Sequence, residues 1–273
     1  MNRRRALAAL AGLPLIAGWR WPFGNEQHRR SSLIVAGSGR MLGYNREIEV
    51  MFEKAHPDID MVCEGGGSYP GLLALKRGLI DIAAISHELT RQEDDPRLHI
   101  HLVAKDAVAI IVNPKNPIQS LGRDDLRDIL EGRQANWGMF GGGDAEIDLI
   151  DRRGGDPTDR AEAVDAVIGH HEPFKNVETY VGSDAEMIAA VADNPDALGY
   201  CGWEDLTPDV RPLMIGGVAL SRETMLSGSY PFAWPYYYVT LGEPGPAASR
   251  FLAFARTDAV QSAFAKDGLL RVY

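Results

Sequence analysis

Two short, almost uninterrupted apolar runs, each stopping at glycine and each feeding a helical pattern, constrain this 273-residue chain more than any other feature. Leu33-Ile-Val-Ala36 runs into Gly37-Ser38-Gly39, and a pattern with Ile48, Met51 and Phe52 on one helical face follows, stopping before Pro57. Ile59–Glu64 leads into Gly65-Gly-Gly-Ser68, then into a second helix carrying Leu72, Leu73 and Leu75 and ending near Gly78. A third apolar run, Leu79–Ile85, ends at Ser86. Strands apolar on both faces belong to parallel sheets covered by helices on both sides. The pattern therefore predicts an α/β fold.

The rest of the chain keeps that rhythm. Val108–Val112 reads as a buried strand, broken by Asn113-Pro-Lys-Asn-Pro117, and Leu121–Leu130 as an amphipathic helix. Ile147–Ile150 enters Asp151-Arg-Arg-Gly-Gly-Asp-Pro-Thr158, where another helix begins. Val177–Val181 and Ala197–Tyr200 read as strands on either side of the helix Ala185–Ala192. From Val210 the chain turns strand-rich, through Tyr236–Leu241, before a final helix with Phe251, Leu252, Phe254 and Ala255. With 45% hydrophobic residues and no internal repeat, it is long enough for two lobes of roughly 100–130 residues, each with its own core.

Met1–Gly18 pairs Arg3-Arg-Arg5 with about a dozen mostly apolar residues, a secretory signal in character and too short for a membrane span. Trp19, Arg20 and Trp21 spoil a clean cleavage site, which leaves a retained N-terminal tether open. Gly24–Ser32 reads as a linker. The net charge of −10 argues against nucleic acid as a partner. Two cysteines, Cys63 and Cys201, exclude a disulfide scaffold and read as buried small apolar side chains, although export would permit them to pair.

In open α/β sheets, ligands bind beyond the carboxyl ends of the strands. Four such ends here carry small or hydroxyl residues: Gly37-Ser38-Gly39, Gly65–Ser68, Ser86 and Gly154–Thr158. Helix N-termini with short hydroxyls make an anion cradle, and Arg152 or Arg153 is placed to add a bidentate clamp. Other constellations read as structure. His99 and His101 alternate on a strand, and His170-His171 lack further converging metal ligands. Trp234-Pro-Tyr-Tyr-Tyr238 suits a buried strand on the hinge side, and Glu93-Asp94-Asp95 suits solvated surface. No nucleophile elbow, Walker motif or metalloprotease helix is present in the sequence.

These segments resemble the PstS-like periplasmic phosphate-binding proteins of ABC transporters. The resemblance rests on Ala36-Gly-Ser38, Gly65-Gly-Gly-Ser68, Asp81–Ser86 and Ile111–Pro117, then Leu126 through Ile129–Gly132 and Asn136-Trp137. It continues in Ala197-Leu-Gly-Tyr200 and Gly228-Ser-Tyr-Pro231, collinear from about Leu33 to Tyr273. It implies a two-lobed periplasmic-binding-protein-like fold of type II, with a ligand cleft between lobes joined by crossing strands. The expected division is 1–30 for the signal or anchor and linker, 31–113 for lobe 1, 114–212 for lobe 2, and 213–273 for the return to lobe 1. The implied function is capture of a small oxyanion, phosphate first, by a monomeric exported protein serving an inner-membrane ABC permease. No cofactor, metal or catalysis is implied.

Carried over by position, Ser38, Ser68, Ser86, Arg152 and Thr158 are the ligand residues, and Gly39 and Asp156 complete the expected oxyanion-binding set. The chain departs from the family where Asp156-Pro157-Thr158 replaces Ser-Gly-Thr, where Arg153 replaces an acidic residue, and where His87 stands in place of a frequent Arg. Asp156 either accepts a hydrogen bond from a protonated phosphate oxygen or only caps a helix and pairs with Arg152 or Arg153. The second case leaves a paralogue with an altered site, acting as a sensor or scaffold or binding another ligand. A phosphoester hydrolase using the same cradle is the remote alternative.

Overall fold

The computed structural model describes residues 31–152, 174–266 and 268–273. Asp156, Thr158, Arg153, the His170-His171 pair and the whole of 1–30 lie outside the described residues.

The three apolar runs become β1 (Ser31–Gly37), β2 (Ile59–Glu64) and β3 (Ile82–Ile85), with α1 (Gly39–Ala55) and α2 (Ser68–Lys76) between them. β1 lies in the middle, parallel to both neighbours. β3 is shorter than the apolar run that predicted it. Gly78 turns at φ 68°, exposed Leu79 is tied back to the Ala74 carbonyl, and the Asp81 carboxylate accepts the Ile34 N–H.

The largest departure from the sequence reading is that β4 (Leu98–Val112) is one continuous 15-residue strand, where the alternating His99 and His101 and the buried run Val108–Val112 were read separately. Its first part pairs antiparallel with β11 (Ala233–Leu241), and its last five residues pair antiparallel with β8 (Ala197–Gly202). β6 (Asp148–Arg152) lies parallel to β8 and to β7 (Val177–Val181), giving the strand order β2-β1-β3-β11-β4-β8-β6-β7. The short β5 (Ser120–Leu121) pairs with β10 (Met214–Ile215), while β9 (Arg211–Pro212) and β12 (Leu270–Arg271) add to β4. α3 (Arg123–Leu130) and α4 (Asp184–Asp193) pack in the half built on β8, as does α5 (Arg222–Ser227) through buried Met225.

Two main cores result, one on each part of β4. Leu33, Phe52, Ile82, Ala104, Tyr238 and Phe251 belong to the first, and Ala107, Ile111, Trp137, Leu198, Tyr230 and Phe232 to the second. Leu213, Ile215 and Met225 also pack in the second core. The C-terminal helical stretch is two helices, α6 (Pro246–Ala255) and α7 (Asp258–Lys266), because Arg256 and Thr257 close the first against the Ala253 and Phe254 carbonyls. Cys63 and Cys201 are buried on β2 and β8 and are not joined in a disulfide.

Candidate oxyanion site

The serines at the first three strand ends meet. Ser38 directly follows β1, Ser68 opens α2, and Ser86 directly follows β3. Ser38 Oγ donates to Ser86 Oγ at 2.7 Å, and the Ser86 N–H donates to Ser68 Oγ at 3.3 Å. The Ser38 N–H donates to the Ala84 carbonyl at 2.8 Å, and the Gly67 N–H to the Gly37 carbonyl at 2.8 Å. Gly37 makes this closeness possible: at φ +147° a Cβ there would stand 2.1 Å from the Ala84 carbonyl oxygen. Gly71 does the same for α2, where a Cβ would lie 2.6 Å from the Gly37 Cα.

The Ser38 hydroxyl donates to Ser86, and its oxygen makes no cap bond to α1. Gly67, the N-cap of α2, has no side chain to cap with. Both helices thus present amide groups without side-chain caps at their positive ends, beside three hydroxyls. Exposed Gly39 is the first residue of α1. The arrangement can donate hydrogen bonds to an anion, and it contains no nucleophile–base pair.

Arg152, the last residue of β6, belongs to the other half of the sheet. Its backbone N–H donates to Asp151 Oδ1 at 2.8 Å and to the Tyr200 hydroxyl at 3.3 Å. Among the described residues its guanidinium makes two long contacts, 3.5 Å to Asp184 Oδ1 and 3.4 Å to the Gly182 carbonyl. Tyr200 donates to Asp151 Oδ1 at 2.5 Å, and burial together with the Asp151 charge pushes its hydroxyl far above the usual tyrosine range. It remains a donor that fixes the strand end. The sequence reading missed Asp184, which follows the N-cap Ser183 and carries no signal of pairing with a residue 32 positions away.

The loop after Ser86 corrects a second expectation. Glu93 is buried, not solvated: its carboxylate takes the Thr90 N–H at 2.9 Å, the Thr90 hydroxyl at 2.8 Å, and His87 Nε2 at 3.0 Å. Burial pushes the Glu93 carboxyl up, but those donors outweigh it and the net shift is downward. Lys76 Nζ at the end of α2 donates to the Glu93 carbonyl at 2.6 Å, which ties the loop to α2. His87 is turned to Glu93 in this arrangement. Among the described residues no group of three His, Cys, Asp or Glu is placed to hold a metal ion, and no helix is long and apolar enough to cross a membrane.

The model of the PBP superfamily domain matches residues 24–259. The chain is 30% identical over 246 residues to the phosphate-binding protein PstS of Bacillus subtilis, across 89% of this chain and 81% of that one. The chain belongs to the PstS-like branch of the PBP superfamily. The crystal structure of PstS from Borrelia burgdorferi matches this fold with a TM-score of 0.79 at 22% identity, over 88% of this chain and 98% of that one. An ABC-type phosphate transport receptor from Vibrio cholerae matches with a TM-score of 0.75 at 23% identity, over 88% and 99%.

Proposed function

We propose that this chain is an exported solute-binding protein that captures inorganic phosphate and delivers it to an inner-membrane ABC permease. The observation that carries the reading is the convergence of Ser38, Ser68 and Ser86 at helix ends without side-chain caps. The names of the relatives, phosphate-binding and phosphate transport proteins, point to the same anion. In this reading Ser38, Gly39, Ser68 and Ser86 bind from one half, and Arg152, Asp156 and Thr158 from the other. The two cores are the two lobes, with the return to lobe 1 at Ala233 instead of 213, since Leu213–Phe232 contributes to the second core. The monomer closes by twisting β4 and β11, which excludes water and strengthens each hydrogen bond to the anion. The N-terminal 30 residues serve export or tethering.

Capture needs no overall positive charge, because local dipoles and one guanidinium set the field in the cleft. Nothing is turned over. Calorimetric titration of ligand-stripped protein with phosphate and with sulfate tests the proposal. Micromolar or tighter phosphate binding, about −8 kcal/mol or better, without a sulfate response is expected. Folded protein that gives no heat with phosphate would overturn it.

A further inference from the structure

From Ser86 to Leu102 a single residue is fully buried, and it is a carboxylate, Glu93. Burying a charge is costly unless hydrogen bonds replace its water. Here they do. The Glu93 carboxylate meets the Thr90 N–H at 2.9 Å, the Thr90 hydroxyl at 2.8 Å and His87 Nε2 at 3.0 Å, while its backbone carbonyl accepts Lys76 Nζ at 2.6 Å. Lys76 ends α2, the helix that Ser68 opens, and His87 directly follows Ser86. The stretch is also tied by the exposed Tyr237–Glu88 hydrogen bond and by Leu89 packing near Leu72 and Leu75. The Glu93 clasp is the tie that ends on the residue after Ser86.

Ser86 is the node of the three serines. Its Oγ accepts the Ser38 hydroxyl at 2.7 Å, so its own proton is left for another acceptor. Its N–H donates to Ser68 Oγ at 3.3 Å, which leaves the Ser68 proton in the same position. The backbone of Ser86 therefore sets the aim of two hydroxyl donors. β3 fixes that backbone on one side, with Ile85 opposite Tyr237. On the other side no strand or helix follows before β4.

We propose that Glu93 is a positioning residue of the oxyanion site: by holding His87 and the end of α2 it places Ser86, and through Ser86 the donors of Ser86 and Ser68. This rests on the phosphate reading and adds to it a residue that acts without touching the anion. A carboxylate suits the task because hydrogen bonds fix direction, whereas apolar contact does not.

The test is calorimetric titration of the ligand-stripped full chain with inorganic phosphate for wild type, E93A, E93Q, S86A and the E93A/S86A double variant, each checked for folding by its urea midpoint. E93A is expected to weaken phosphate binding by roughly tenfold to a hundredfold, the scale of a hydrogen bond to a charged group. E93Q should recover most of the loss, since Gln keeps the shape, accepts from Thr90 and can donate to His87 in its other tautomer. In the S86A background E93A should cost clearly less than in wild type, because its effect runs through Ser86. A merely structural role would multiply the two losses in full. That outcome, wild-type affinity in E93A, or an E93Q no better than E93A would overturn the inference and leave the phosphate reading intact. A wild type that binds no phosphate would overturn both. If E93A does not fold, H87A decides: a loss that shrinks in the S86A background supports the inference, and wild-type affinity or a loss that multiplies in full overturns it.

Discussion

At the scale of single residues, Gly37 holds the site together by lacking a side chain. Gly37→Ala would bring a Cβ to 2.1 Å from the Ala84 carbonyl at a positive φ. The expected cost is about 2–4 kcal/mol of stability, combining overpacking with backbone strain. Urea denaturation checks this, and a midpoint equal to wild type would refute it. His101 gives a second prediction. Arg256 Nη2 donates to its Nδ1 at 3.3 Å, so the neutral ring carries its proton on Nε2, which is buried without a partner. Burial, then Arg256 and His99, lower its proton affinity in the fold. The unfolded chain therefore binds the proton more readily, and the contribution of His101 to stability is present above about pH 6.5 and lost as pH falls below it. Urea midpoints at pH 7.5 and 5.5 should drop more for wild type than for His101→Gln; equal drops would argue against the assignment.

At the scale of elements, buried polar contacts at Asn45 help fasten α1 to the sheet. The Tyr238 hydroxyl on β11 donates to Asn45 Oδ1 on α1 at 2.7 Å, and both residues are buried. Burial holds that hydroxyl far above its ordinary range, so it stays a donor. Tyr238→Phe strands the Asn45 oxygen away from water and should cost about 1–3 kcal/mol. A change under about 0.5 kcal/mol in equilibrium unfolding, the range of ordinary surface substitutions, would show that the contact is dispensable. The elements around this pair were readable from sequence because β1, β2 and α1 follow local apolar periodicity. α5 was not, since its six residues are set by the Ser221–Thr224 capping pair and not by any apolar stripe. Nor was the continuity of β4 from the alternating His99 and His101 through to Val112, because that single strand is completed by pairing with β11 and then β8.

At the scale of the molecule, two cores on one shared strand make ligand and stability interdependent. An anion that binds only the folded chain should raise stability by about 2.7 kcal/mol at a free concentration 100 times its dissociation constant. Urea unfolding with and without phosphate measures this, and an unchanged midpoint at saturating phosphate would contradict capture by the folded protein. Bridging of both halves by the anion should also compact the molecule. A smaller radius of gyration in solution scattering is expected with phosphate, and an unchanged one would speak against closure about β4 and β11.

The sequence by itself determined the α/β class, the placing of Ser38, Ser68 and Ser86 at strand ends, and the burial of Cys63 and Cys201. Each follows from short-range rules: alternation, apolar runs, glycine before a helix. The site residues are legible as types in that sense, while their meeting is not. That Ser38 bonds Ser86 across 48 residues, that Glu93 is buried under Thr90 and His87, and that Arg40 lies on Trp234 were decided only in the tertiary structure. Which distant residues touch depends on sheet order and on how closely backbones approach. A strand's own sequence states which residues it buries, but its neighbours decide what those residues meet.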